Sequence, residues 1–177
     1  EAIANLTLAA RKIFTRHMAI NATPYVPKPH TAFQWTAMMP VETLETRIRF
    51  LQDRLNPNGV TVRSDSPAWA AVEGVLARGD RRLAAVLLSM EALSVRSFHR
   101  ALAENGLSAN TFLGQREPAS LQPWDIVESG VSANYFAFEQ RLAARSAHGV
   151  RPSMRSAMRP ATATTRCARA SRPCCSR

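Results

Sequence analysis

The first 166 residues contain no cysteine; Cys167, Cys174 and Cys175 are the only three in the chain. No disulfide can staple that long segment, which fits a reducing compartment and a cytoplasmic location. No run of 18 or more apolar residues occurs, so no membrane-spanning helix is expected. The start, Glu1 to Ala10, lacks the basic segment and apolar block of a secretory leader, and it lacks an initiator methionine. The chain is therefore expected to begin inside a longer reading frame. Acid is missing from the end: residues 147–177 hold 7 Arg with no Lys, Asp or Glu, while residues 1–146 hold 16 Lys and Arg and all 13 Asp and Glu. The net charge of +10 thus divides into +3 on the body and +7 on the tail. Nucleic-acid binding by the body is not indicated.

What is present suits one ordinary domain with a real core: 177 residues, of which 46% are hydrophobic. Over residues 2–17, Ile3, Leu6, Ala10, Ile13 and Phe14 recur at spacings of three and four, which predicts an amphipathic helix. Its Leu6, Ala9, Ala10 and Ile13 are expected to face a sheet. Met18–Thr23 reads as a strand apolar on both faces, as in a parallel sheet or barrel covered by helices. Val41 to Leu55 carries Leu44, Ile48, Leu51 and Leu55 on one stripe and is stopped by Asn56-Pro57-Asn58-Gly59. Val60–Arg63 is a short strand signal. Ser66 and Pro67 then open a helix with Trp69, Val72, Val75 and Leu76 as its apolar positions. Further helices are predicted over Arg81–Met90, from Ser94 to the Asn105-Gly106 stop, over Ser108–Leu113, and over Ser132–Arg145.

The most informative stretch is Tyr25-Val26-Pro27-Lys28-Pro29-His30-Thr31-Ala32-Phe33-Gln34-Trp35. Pro24, Pro27 and Pro29 exclude a helix and a central strand, so the backbone leaves Met18–Thr23 as a stiff segment. Phenol, ammonium, imidazole, carboxamide and indole groups follow within eleven residues, held at little entropic cost. Tyr25, Lys28, His30, Gln34 and Trp35 are candidate substrate-facing groups, and Phe33 is expected in the core. The bland reading of the same residues is a strand-to-helix loop with a solvated lysine and a histidine satisfied by a carbonyl. A second string, Ala77-Arg78-Gly79-Asp80-Arg81-Arg82-Leu83, breaks a helix at Gly79. Its Arg78, Arg81 and Arg82 could clamp a phosphate or carboxylate. A third, Leu121-Gln122-Pro123-Trp124-Asp125 before Gly130-Val131, reads as a packing tryptophan and a capping aspartate.

These three strings resemble segments of radical S-adenosylmethionine enzymes of the cobalamin-binding subgroup, across about Ala19 to Glu139. Gln122 interrupts the subgroup's Leu-Pro-Trp-Asp-like pattern. The resemblance implies that Val26 to Trp35 leaves a late strand of a partial (β/α) barrel, at the mouth where active sites lie. It also implies a [4Fe-4S] cluster on a Cys-x3-Cys-x2-Cys loop, with S-adenosylmethionine on the open iron site and cobalamin in an upstream domain. This chain has no such loop, so none of its residues is assigned to a metal, and none to a certain catalytic role.

The expected fold is α+β and predominantly helical, a C-terminal piece of a partial barrel plus a helical extension. Residues 1–40 would be the last helix–strand unit, 41–146 the extension and 147–177 a disordered basic tail. The expected function belongs to the parent enzyme: this fragment closes the barrel and supplies substrate-facing groups, its partner being the upstream part of the same polypeptide. Alone it should be inactive. The other reading is a helical interaction module whose basic tail binds RNA or a protein partner. The tail's composition, seven Arg amid Ala, Ser, Pro and Thr, is also what an out-of-frame reading of a GC-rich gene produces, with the shift near residues 145–150.

Overall fold

The computed structural model describes residues 1–147. The tail and all three cysteines, with the disorder and frame-shift expectations that concern them, lie outside the described residues. Residues Glu1–Gln140 make one compact unit; of the second, Arg141–Arg177, only the end of one helix is described. The chain is mostly helical with one small parallel sheet, an α+β arrangement. Among the described residues no helix is long and apolar enough to cross a membrane.

Helix α1 (Ala2–Ile13) leads into strand β1 (Met18–Ala22), and helix α2 (Val41–Leu55) leads into strand β2 (Val60–Ser64). A one-turn 3₁₀ segment ends α2, and Gly59 at φ 72° makes the left-handed turn that an L side chain would resist. β1 and β2 pair in parallel, Met18 opposite Val60 and Ala22 opposite Ser64. The sheet unit therefore runs to Ser64, past the boundary at residue 40 expected from the sequence.

Ala4, Leu55, Val60 and Val62 are buried together, with Leu8, Leu51, Met18 and Ile20 packed around them. Both helices thus lie on one face of the sheet, and the pleat sends alternate residues to the other. There Ala19, Asn21, Thr61 and Arg63 are exposed. This corrects the expectation that β1 is covered on both faces. It also corrects the orientation of α1, where Leu6 is 73% and Ile13 80% exposed. The helix carries a second stripe at the same spacing, Ala4, Thr7, Leu8 and Arg11, and the small Ala4 lets it sit close to the sheet.

Helix α3 (Pro67–Arg78) starts as read, with the Ser66 hydroxyl accepting from the Trp69 N–H and Pro67 in the first turn. Its buried positions are nevertheless Ala70, Ala71, Val72, Gly74, Val75 and Arg78, while Trp69 and Leu76 stay half-exposed. Close packing decides this: a Cβ on Gly74 would sit 2.8 Å from Leu113 Cδ2 and 3.1 Å from Met38 Sδ. Helices α4 (Leu83–Leu88), α5 (Val95–Glu104) and α6 (Ala109–Leu113) complete a core of Val72, Val75, Leu83, Val86, Phe98, Leu102 and Phe112. Helix α4 is shorter than Arg81–Met90 because Asp80 Oδ1 accepts from the Arg82 N–H at 2.9 Å, closing a turn ahead of it. Helix α7 (Ala133–Ala147) is last.

Candidate functional site

Between β1 and α2 the chain runs from Thr23 to Pro40 without regular structure, anchored by the buried Pro24 and Pro27. A tight turn follows. The Thr31 hydroxyl donates to the Lys28 carbonyl at 2.8 Å, and the Gln34 N–H donates to the Thr31 carbonyl at 3.2 Å. His30 sits at its apex with φ 54°, the only positive φ of a non-glycine residue among the described residues. Gln34 is 4% exposed, and its Oε1 accepts from the His30 N–H at 3.0 Å and from Trp124 Nε1 at 2.7 Å. Two donors on one atom make it the oxygen, so the orientation of the amide is determined. The first and third strings of the sequence are thereby joined.

The second string joins through Arg78, the largest fully buried side chain among the described residues. Its guanidinium donates to the carbonyls of Thr36 at 3.0 Å and Gly114 at 2.9 Å, with a longer contact of 3.4 Å to Leu113. Arg116 donates to the Arg78 carbonyl at 2.9 Å and to Gln122 Oε1 at 3.0 Å, and its guanidinium lies 5.1 Å from the Trp124 ring centroid. Burial, with the Arg116 charge nearby, lowers the Arg78 guanidinium to about 10. Burial likewise lowers Arg116. Carbonyl acceptors engage the terminal nitrogens of both cations, each Nε–H is buried without a partner, and among the described residues no carboxylate bonds either guanidinium.

Beside the hub opens a cleft of about 410 Å³ whose walls include His30, Gln34, Trp35, Asp125, Glu128 and Phe136. A smaller opening of about 230 Å³ lies at the C-terminal ends of the two strands, lined by Asn21, Thr23, Arg63, Ser64 and Asp65. There the Thr23 hydroxyl donates to Asp65 Oδ2 at 2.9 Å.

Of the substrate-facing candidates, His30, Gln34 and Trp35 share the larger cleft. Tyr25 and Lys28 do not line it. Lys28 pairs with Glu73 of α3. Tyr25 is half-exposed and meets Phe33 edge-on at 6.0 Å between ring centroids; burial, set before the opposing Arg78 charge, raises its phenol. Phe33, expected in the core, is 39% exposed instead, because its ring packs on Tyr25 at the surface. The three candidate anion-binding arginines do not share an opening. Arg78 is spent on carbonyls inside, Arg81 is exposed, and Arg82 is held by both oxygens of Asp80, whose carboxyl it lowers to about 2. Trp124 is buried as expected, and Asp125 Oδ2 accepts from the Gln122 N–H at 2.8 Å.

Arg116 is the hub residue that sequence reasoning missed, and nothing in its spacing marks it. Gln122 is the other: 4% exposed, it gives its amide hydrogens to the Ser120 carbonyl and hydroxyl. A break in an expected pattern was its one signal. The strand-end group had a signal too, since Thr23 and Asp65 each follow a strand run. No known protein family, curated protein or solved structure matches this chain.

Proposed function

We propose that this chain is the C-terminal part of a radical S-adenosylmethionine enzyme of the cobalamin-binding subgroup, forming part of the barrel wall and of its mouth. The observation that carries the reading is the half-covered parallel sheet. Its strands run side by side with helices over one face only, and the bare face carries Asn21, Thr61 and Arg63. Helices on one face only leave the other free to line a barrel interior, and an opening at the C-terminal strand ends lies where a barrel has its mouth. The meeting of all three family-like strings at the Gln34–Trp124 and Arg78–Arg116 contacts supports the reading further.

The described residues do not fit the iron–sulfur cluster. They include no cysteine, and among them no three His, Cys, Asp or Glu side chains gather closely enough for a metal. Cluster ligation needs thiolates able to reach one centre. In this reading the thiolates and the cobalamin domain belong to upstream sequence, and this chain contributes walls, hydrogen-bonding groups and exclusion of water.

Anaerobic reconstitution of the chain together with its upstream sequence tests the proposal. About four iron atoms per chain and reductive cleavage of S-adenosylmethionine are expected. A folded protein that takes up no cluster, and binds RNA with a steep salt dependence, would replace it with the interaction-module reading.

A further inference from the structure

The cleft beside the polar hub has the size of a small-ligand site, about 410 Å³. We propose that it binds a planar, neutral group carrying a carbonyl next to an N–H, as in a carboxamide or a lactam. Gln34 carries the argument. It is 4% exposed and lines the cleft, and its oxygen is fully engaged by His30 and Trp124. Its amide nitrogen consequently keeps both hydrogens, with no acceptor among the described residues, and it is not one of the nitrogens sealed from solvent. Water meets these hydrogens in the cleft, and an acceptor entering it would take their place without displacing any hydrogen bond within the protein.

The same cleft supplies the complementary group. Asp125 uses Oδ2 for the Gln122 N–H, and Oδ1 has no partner among the described residues. Glu128, which also lines the cleft, is exposed and makes no ion pair among the described residues. Two carboxylates oppose an anion, and only a ligand that also presents an acceptor uses the amide hydrogens of Gln34. A neutral ligand that accepts at Gln34 and donates at Asp125 uses both groups. Trp35 and Phe136 add apolar ring surface to the lining, suited to a flat group. The inference stands on these side chains and holds whatever reaction the parent protein performs.

Nicotinamide, uracil, benzoate and benzylamine titrated into the full chain test it, followed by tryptophan fluorescence, since Trp35 and Trp124 adjoin the cleft. Nicotinamide and uracil are expected to bind at least about tenfold more tightly than benzoate, which lacks the N–H and meets the two carboxylates, and no more weakly than benzylamine, which lacks the acceptor. Gln34→Glu keeps the acceptor for His30 and Trp124 but removes the free donors, and should lose about tenfold for both neutral probes. Asp125→Asn, at an exposed position, should lose a similar factor while leaving the circular dichroism unchanged. Tighter binding of benzoate or benzylamine, no binding of either neutral probe at millimolar concentration, or unaltered affinity in folded Asp125→Asn, would overturn it.

Discussion

In residues 67–114 the helices surround their own core: Val75, Val86, Phe98, Leu102 and Phe112 are each at most 1% exposed. Around the two strands the buried apolar cluster is small, Ala4, Leu55, Val60 and Val62, while Ile3, Leu6, Ile13 and Phe14 stand between 62 and 80% exposed. Single exposed leucines such as Leu88 and Leu93 in the first region are ordinary. The second region differs in kind, because a helix stripe and a whole sheet face are bare at once. A sheet wants a layer on each side, and a parallel one most of all. One region encloses its own core, and the other leaves one helix stripe and one sheet face bare. Between them the 23–40 segment is fastened to the helical region by Arg78 and by the Met38 N–H, which donates to the Leu113 carbonyl at 2.9 Å.

That contrast can be broken at the hub first. Arg78→Ala removes the donors from the Thr36 and Gly114 carbonyls and opens a cavity, and should cost about 3 to 5 kcal/mol in urea unfolding. Next comes Gly79→Ala. A Cβ there would lie 2.0 Å from Leu83 Cδ1 and 2.8 Å from the Val75 carbonyl, so overpacking of the closed region should cost about 1 to 3 kcal/mol by the same measurement. A smaller effect is expected from pH. The Asp80 carboxyl is held at about 2, against an ordinary 3.8, by its hydrogen bonds to Arg82. The folded chain then binds fewer protons than the unfolded one, so stability should fall as pH drops from about 4 to about 2. Urea midpoints across that range should lose this part of their slope in Asp80→Asn. The least effect belongs to the open region: Leu6→Gln with Ile13→Gln should stay within about 0.5 kcal/mol of the parent chain. A large loss there would mean that this face is already covered and would erase the contrast.

Several features were legible from local order. Val41–Leu55 is a helix with the bounds its stripe predicted, and Gly59 stops it as the Asn-Pro-Asn-Gly string requires. Ser66 caps α3, Ser94 caps α5, and Met18 and Val60 each begin a strand. The cleft was legible in part, since His30, Gln34 and Trp35 lie in one stiff stretch of eleven residues and Trp124 stood out alone. Arg116 was not, because a buried cation whose partners are backbone carbonyls leaves no trace in residue spacing.

Periodicity and caps act over a few residues, so the chain by itself determined where helices and strands begin and end, and which faces were available for burial. It left undecided which of two stripes α1 turns inward. Nor did it settle that β1 pairs with β2 across forty residues, or that a basic string ends inside the protein. Those choices depend on which surfaces meet, and only close packing in three dimensions makes Ala4 and Gly74 better contacts than Leu6 and Leu76.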